Sequence, residues 1–296
     1  MRYTKLPKTV NEQIDLLKDR GLIIDDEKKA RKFLENVSYY HLSIYFKYFQ
    51  EKESNNFLNN IKFDDIKNIY IFDKKLRLLV SDILERIEQS FKSKIINTMS
   101  AKENKPFWIS EYIYSKDDKV RDNIRGFLLE LRDSREEYIK SFYQKYTEDD
   151  FPPAWMIIES LSFGQTVMVY KNLTSDNQKL ISASCNNLSV ALMRSWFHSF
   201  SYMRNICAHH GRLWNREMTI KPSLRYPKFR YLFTQMNQTK LFNYILLVLF
   251  VDSNFCNNQG FVNELENIIK KHNIDTNYMG FPSDWKSRLK QVISTN

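Results

Sequence analysis

The chain has 296 residues, of which 43% are apolar and 27% are charged, and its mass is 35.7 kDa. This proportion of apolar to charged residues excludes a disordered chain. The 6 Gly and 7 Pro are too few for β-sandwiches, barrels or Gly-rich nucleotide-binding folds, because these folds need many tight turns or glycine-rich loops. The formal charge of +10 favours a polyanionic partner such as nucleic acid, although a lysine-rich surface also serves solubility alone.

The N-terminal part of the chain contains patterns typical of α-helices. Apolar residues at three- and four-residue steps after Thr9 predict a helix that ends at Gly21, and a second helix is predicted over about 25–34. We interpret the aromatic stretch 37–49 as the core face of a helix, in preference to a platform for base stacking. A long helix is predicted over about 64–99. Its predicted buried stripe comprises Ile69, Phe72, Leu76, Leu79, Ile83, Ile87 and Phe91.

The rest of the chain predicts further helices and no strands. A charged helical block over 119–146 is expected on the surface, and an element over 154–173 is interrupted only by Gly164. A strong helix over 188–210 should have Gly211 as its C-cap, and helices near 240–251 and 261–272 close the chain. The predicted fold is therefore all-α. We divide it into an N-terminal helical segment over 1–60, a core over 61–222 and a C-terminal extension over 223–296.

Cysteine usage and hydropathy indicate the compartment. Cys185, Cys207 and Cys256 are scattered and odd in number, which argues against a disulfide framework and fits a reducing environment. The N-terminus has no apolar signal region, and the apolar run 241–251 is too short to cross a bilayer and predicts a buried helix. We therefore expect a cytoplasmic protein that does not associate with a membrane.

Several familiar catalytic motifs are absent from the sequence. It contains no Gly-rich phosphate loop, no GxSxG elbow, no HExxH helix and no CxxC pair. The stretch 194–216 instead concentrates histidine, arginine and tryptophan. Adjacent helical residues point about 100° apart, so Cys207, His209 and His210 are not expected to share a metal ion. We predict neither a metal nor a cofactor.

Arg204 and His209 form an R-x4-H pair at the C-terminal end of an apolar helix. The negative end of the helix dipole favours a protonated imidazole there. A histidine beside a guanidinium suits phosphodiester cleavage, because Arg204 can neutralise the phosphate while His209 moves a proton to or from the reacting oxygen. RNA supplies its own nucleophile in the 2′-hydroxyl, so no metal is required. Asn205 is expected to orient one of the two by hydrogen bonding, and His210 is a further candidate.

The spacing of this pair predicts a site shared between two copies of the chain. Five residues along a helix correspond to about 140° of rotation, so Arg204 and His209 do not share one narrow face. Two copies around a two-fold axis would bring two arginines and two histidines into a common groove. We therefore predict a homodimer with a composite active site.

The stretch 204–216, RNICAHHGRLWNR, resembles the signature of the Abi (abortive infection) proteins of the AbiD/AbiF type, and its R-x4-H core is similar to that of HEPN-domain ribonucleases. Other stretches resemble blocks of the same family in the same order: 3–26, 37–49, 69–95 with F-D-x-x-L-R and E-R-I-E, and 152–173 with P-x-W-x-x-x-E-x-L-S-F-G. His41 stands where we expect Arg in the aromatic block. Glu88 and Glu159 lie in family blocks without a predicted place in the site.

The resemblance implies a HEPN-like helical bundle with additional N- and C-terminal helices. It implies an anti-phage protein that acts as a metal-independent endoribonuclease on single-stranded RNA, with Arg204 and His209 as the catalytic pair and Asn205 as the polar residue that follows the arginine. Cleavage through the 2′-hydroxyl would leave a 2′,3′-cyclic phosphate and a 5′-hydroxyl.

Two other interpretations of the motif stay open at this point. The domain could be a non-catalytic RNA-binding or sensing module, in which Arg204 only contacts phosphate. Alternatively, 204–216 could be a buried polar network under Trp214, with the function elsewhere.

Basic residues that follow the motif are candidates for an RNA-binding track, or for a solvated basic face. They are Arg212, Arg216, Lys221, Arg225, Lys228 and Arg230. The expected RNA partner is the substrate, and a bound non-coding RNA is a second candidate.

Overall fold

The computed structural model describes the chain except for residues 1, 3, 5, 115–116, 186, 235–237, 254–258 and 295–296. Cys256 therefore lies outside the described residues. Within them the chain forms helices and only two isolated β-bridges, which confirms the all-α prediction. The α-helices are α1 (Val10–Asp19), α2 (Glu27–Asn36), α3 (Tyr39–Phe46), α4 (Phe63–Glu103), α5 (Asp118–Arg132), α6 (Glu137–Lys145), α7 (Ala154–Ser160), α8 (Phe163–Asn172), α9 (Ser175–Ser184), α10 (Val190–Ala208), α11 (Leu241–Asp252), α12 (Gln259–Lys271) and α13 (Trp285–Ser294).

Side-chain caps define where several helices begin. Thr9 and Glu12 form a reciprocal capping box at the start of α1, and Gly21 follows the helix with φ +87°, as its predicted role as a terminator requires. Ser162 and Gln165 form a second capping box at the start of α8. The prediction that Gly164 interrupts this region is therefore wrong. The interruption lies at 161–162, and Gly164 belongs to the first turn of α8.

Helix α4 is the central element of the fold. It has 41 residues and packs against α3 and against each helix from α7 to α12. Most of the predicted apolar stripe is buried, although Ile69 and Leu79 are only partly covered. The buried face also includes four charged residues that the apolar pattern did not predict: Asp73, Arg77, Glu88 and Lys92.

The C-terminal part of the chain packs onto α4 through an apolar helix and an ion pair. Every residue of α11 is buried, which confirms the predicted buried helix over 241–251. Its last residue, Asp252, accepts two hydrogen bonds from Arg86 of α4, at 3.1 Å from Nε and 2.7 Å from Nη2. Among the described residues, no helix is both long enough and apolar enough to cross a membrane.

The structure adds helices that the apolar pattern did not predict. The block over 119–146 is two helices, α5 and α6, separated by a polar turn, and α9 and α13 were not predicted. Helix α9 buries Asn177, Gln178 and Ser182 beside a single apolar residue, Ile181, so its sequence carries little hydrophobic periodicity. One cluster of buried side chains, from Ile14 to Val292, draws on all three predicted segments. The segment boundaries stay a prediction.

Candidate functional site

The site is built at the C-terminal end of α10. The helix ends at Ala208, and His210 adopts the left-handed conformation with φ 56°. The amide of His210 donates to the carbonyl of Cys207 at 3.1 Å, and that of Gly211 donates to the carbonyl of Ile206 at 2.7 Å. This is a Schellman motif, in which the residue after the cap is left-handed.

The predicted C-cap at Gly211 is therefore displaced by two residues, because His209 is the cap and His210 takes the left-handed position. The role of Gly211 is instead to let the backbone pack closely against Ile206. A Cβ atom at this position would lie 3.1 Å from both the carbonyl oxygen and the Cγ2 of Ile206. Gly211 thus lets the chain turn back tightly across the end of α10.

The tight turn leaves the predicted catalytic residues at the molecular surface. Asn205, His209 and His210 are exposed, and the Arg204 side chain is 36% exposed. We call these four residues the motif edge. Among the described residues, no hydrogen bond joins the side chains of Asn205 and His209, so the orienting role of Asn205 stays a prediction.

Arg204 is anchored by a buried carboxylate of α4. Its Nε lies 3.3 Å from Oε2 of Glu88, a residue that sequence reasoning had left without a place in the site. Glu88 also lies 3.6 Å from the buried Nζ of Lys92, which donates to the backbone carbonyl of Glu159 at 3.0 Å. Two cations thus share one carboxylate, and of the two only the Arg204 guanidinium is partly exposed.

A second buried carboxylate holds the loop that follows the motif edge. Asp73 is fully buried and accepts hydrogen bonds from Tyr45 Oη (2.6 Å), Arg77 Nη1 (2.6 Å) and the backbone amides of Leu213 (3.1 Å) and Trp214 (2.6 Å). Burial raises the pKa of the Asp73 carboxyl, while Arg77 and the three other donors favour its ionised form. The F-D-x-x-L-R block of the sequence, which contains Asp73 and Arg77, was the signal that could have placed them here.

The loop itself is held by aromatic packing. Trp214 is buried, lies edge-on to Tyr48 and stacks on Phe49 with ring centroids 6.3 Å apart. Tyr48 Oη donates to the carbonyl of Asn215 at 3.1 Å. The interpretation of 204–216 as a buried network thus describes the Leu213–Asn215 part, whereas the motif edge is accessible.

The residues predicted as an RNA track fall into two groups. Arg212 donates to the carbonyls of Trp214 (2.8 Å) and Asn215 (3.2 Å), and Arg216 donates to the carbonyl of Arg212 (3.3 Å), so both guanidiniums brace the loop. The other four are exposed: Lys221, Arg225, Lys228 and Arg230. Arg225 and Arg230 line a cleft of 700 Å³. RNA binding by this track stays a prediction.

Cys207 and His41 complete the surroundings of the motif edge. Cys207 is buried on the inner side of α10, and burial raises the pKa of its thiol to about 11. The thiol thus lies on the opposite side of the helix end from the exposed His209 and His210. Burial and the positive charges of Arg77 and His210 lower the pKa of His41, a residue of α3 whose ring lies edge-on to Tyr70.

These features define a class of protein: an all-α chain that displays arginine, asparagine and histidine at one helix end above buried ion pairs. Residues 32–215 match the sequence profile of the Abi-like protein family. The match covers more than half of the chain, which therefore belongs to this family. The motif edge and the buried carboxylates lie within the matched range, and the family indicates a role in abortive infection and defence. No curated protein and no solved structure matches the chain.

Proposed function

We propose that the protein is a metal-independent endoribonuclease of the HEPN type, which acts in abortive infection by cleaving single-stranded cytoplasmic RNA. The observation that carries this proposal is the contrast between the accessible motif edge and the buried charges beneath it. Asn205 and His209 are open to solvent, and Arg204 is held from below by Glu88. A catalytic constellation needs reactive groups at the surface with their geometry fixed by a supporting layer.

Arg204 is suited to bind the scissile phosphate. Its 3.3 Å contact with Glu88 is through Nε, and its terminal nitrogens make no hydrogen bond to the described residues. Two donors in a fixed plane match two oxygens of a phosphate. Because Glu88 fixes the direction of the guanidinium, less conformational freedom is lost when the phosphate binds.

His209 is suited to transfer a proton. In the proposed step, the 2′-oxygen forms a bond to phosphorus and the bond from phosphorus to the 5′-oxygen breaks. One proton leaves the 2′-hydroxyl and one reaches the 5′-oxygen, so two proton-transfer groups are needed. His209 of one chain can serve as one of them. The products are a 2′,3′-cyclic phosphate and a 5′-hydroxyl.

The need for a second proton-transfer group supports a homodimer. His210 of the same chain is one candidate, and its backbone is left-handed, with φ 56°. A second copy related by a two-fold axis supplies another His209 and another Arg204. We therefore propose that the active site is formed by the motif edges of two copies.

The experiment that tests this proposal is the incubation of purified protein with labelled single-stranded RNA in EDTA. We expect cleavage by the unmodified protein and a loss of roughly 100-fold or more in the His209→Ala variant, the range typical of a general acid or base. His198→Ala is the matched control, because His198 is an exposed histidine of the same helix about 16 Å from His209 along the axis.

The outcome also separates catalysis from binding. Cleavage that persists in His209→Ala and falls in His198→Ala would contradict the proposal. Absence of cleavage by the unmodified protein, with RNA binding equal in all three proteins, would favour a non-catalytic RNA-binding module.

A further inference from the structure

A second basic region lies in a cleft between α2 and α4, away from the predicted track. The cleft has a volume of 690 Å³. Its described lining contains five lysines and no acidic residue. They are Lys29, Lys32, Lys67, Lys74 and Lys75. We call this feature the lysine cleft.

The charge of the lysine cleft is only partly neutralised. Lys29 pairs with Asp26 and Lys67 pairs with Asp64, each at 3.0 Å. The other three lysines, Lys32, Lys74 and Lys75, have no carboxylate within ion-pair distance among the described residues. Three unpaired cations in a concave wall attract a polyanion more strongly than the same charges on a convex surface.

Aromatic side chains in the lysine cleft favour a nucleic acid over other polyanions. Phe33 and Tyr70 both line it, with ring centroids 5.6 Å apart in an edge-to-face arrangement, and neither is fully buried. Leu78, at the end of the cleft, is 63% exposed. Single strands bind where cations that meet the backbone alternate with aromatic faces on which bases stack. A lipid headgroup, or an acidic segment without apolar side chains, would use only the lysines.

The wall of the lysine cleft is in contact with the support of the motif edge. The Tyr70 ring lies edge-on to the rings of His41 (5.9 Å) and Tyr45 (5.7 Å). Tyr45 donates to Asp73, which holds the loop after the motif edge, and Arg77 lies 3.4 Å from the carbonyl oxygen of Gly211. The cleft is thus connected to the loop after the motif edge through Tyr70, Tyr45 and Asp73.

We propose that the lysine cleft binds a segment of single-stranded RNA adjacent to the segment that is cleaved. Phosphates contact Lys32, Lys74 and Lys75, and a base stacks on the exposed part of Tyr70. The inference deepens the proposed function and rests on it for the identity of the cleaved strand. Binding in the cleft is measurable without cleavage.

The test measures binding of a fluorescein-labelled single-stranded RNA to His209→Ala protein over a range of salt concentrations. We compare K32A/K74A/K75A with K52A/K119A/K140A, which removes the same charge from exposed lysines outside the cleft. Each lost phosphate contact lowers the slope of log K against log salt by about 0.7, so three contacts lower it by about 2. We expect the cleft variant to bind the RNA at least about tenfold more weakly than the parent protein. The affinity of the control variant should change by less than about twofold.

A second measurement locates the RNA. RNA that contains 4-thiouridine is cross-linked by light to the His209→Ala protein, and the modified peptide is identified by mass spectrometry. We expect cross-links on the α2 and α4 peptides that carry Phe33 and Tyr70. Equal slopes in the two triple variants, cross-links confined to other peptides, absence of RNA binding, or binding of anionic lipid vesicles in preference to RNA would each overturn the inference.

These outcomes are separable from failure of the proposed function. If the unmodified protein cleaves RNA but the cleft variant binds as the control does, the inference fails and the nuclease proposal stands. If the cleft variant loses affinity and salt slope but no protein cleaves RNA, the lysine cleft binds RNA and the nuclease proposal fails.

Discussion

At the scale of single residues, two buried carboxylates of α4 determine how the motif edge is presented. Glu88 lies beneath Arg204, and Asp73 lies beneath the loop that begins at Gly211. A buried charge is tolerated only where its partners are held in place, because an unpaired one carries a large desolvation penalty. The same requirement makes these ion pairs rigid, so that they fix the position of the residues above them.

Replacing Asp73 by Asn tests this account of the loop. The amide removes the negative charge that compensates buried Arg77. An NH2 group in place of Oδ2 cannot accept from Tyr45 and Arg77, and one in place of Oδ1 cannot accept from Trp214. We expect a loss of about 3–5 kcal/mol in the free energy of unfolding, measured by urea denaturation.

Asp82→Asn is the control for Asp73→Asn. Asp82 lies on the same helix but is 68% exposed, so its replacement should change stability by less than about 0.5 kcal/mol. Equal effects of the two substitutions would show that the buried network does not hold the loop.

At the scale of elements, the periodic helices were predictable and the aperiodic ones were not. Helices α1, α4 and α10 follow from the spacing of apolar residues and α11 from a continuous apolar run. Helix α9 was not predicted, because most of its buried residues are polar. The R-x4-H motif, like the apolar spacing of these helices, is a pattern within a short stretch of sequence, and it identified Arg204 and His209 as candidates. Glu88 and Asp73 lie more than a hundred residues before the groups they hold, and no local pattern reports a contact across that separation.

The close packing of Gly211 at the end of α10 can be tested by comparing its replacement by alanine with that of Gly126, which lies in α5. Gly211→Ala places a methyl group 3.1 Å from Ile206 atoms and should destabilise the protein by about 1 kcal/mol. Gly126→Ala lies inside α5, and outside the adjacent residues and the helix's own backbone no atom lies within 4 Å of the new Cβ, so it should stabilise the protein by about 0.5–1 kcal/mol. Thermal and urea unfolding measure both. Shifts of the same sign would contradict the close approach at Gly211.

At the scale of the whole molecule, α4 connects the parts that the proposed function requires. The N-terminal part of this helix lines the lysine cleft and also carries Asp73 and Arg77, and Glu88 lies near the middle of the helix beneath Arg204. A single continuous helix thus connects the lysine cleft, which we propose binds RNA, with the residues that support the motif edge. A second copy would contribute another motif edge to the same groove.

Mixing the unmodified protein with an inactive variant tests whether the site is shared. We expect a fourfold excess of His209→Ala protein to lower the cleavage rate of a fixed amount of unmodified protein about fivefold when RNA is in excess. The reason is that a mixed dimer has one intact His209 and the proposed step needs two proton-transfer groups, while random exchange leaves only about one fifth of the unmodified chains paired with each other. Light scattering of each protein should give twice the chain mass of 35.7 kDa. A monomeric protein, or a cleavage rate unchanged by mixing, would contradict a composite site.

The most direct measurement uses an RNA in which every 2′-hydroxyl except one is replaced by fluorine. The proposed chemistry requires the 2′-hydroxyl as nucleophile, so the protein should cut this RNA in EDTA only after the remaining ribonucleotide. Mass spectrometry of the fragments should show a 2′,3′-cyclic phosphate and a 5′-hydroxyl. Cuts at fluorinated positions, a 3′-hydroxyl end, or cleavage that depends on added divalent metal would contradict metal-independent catalysis by Arg204 and His209.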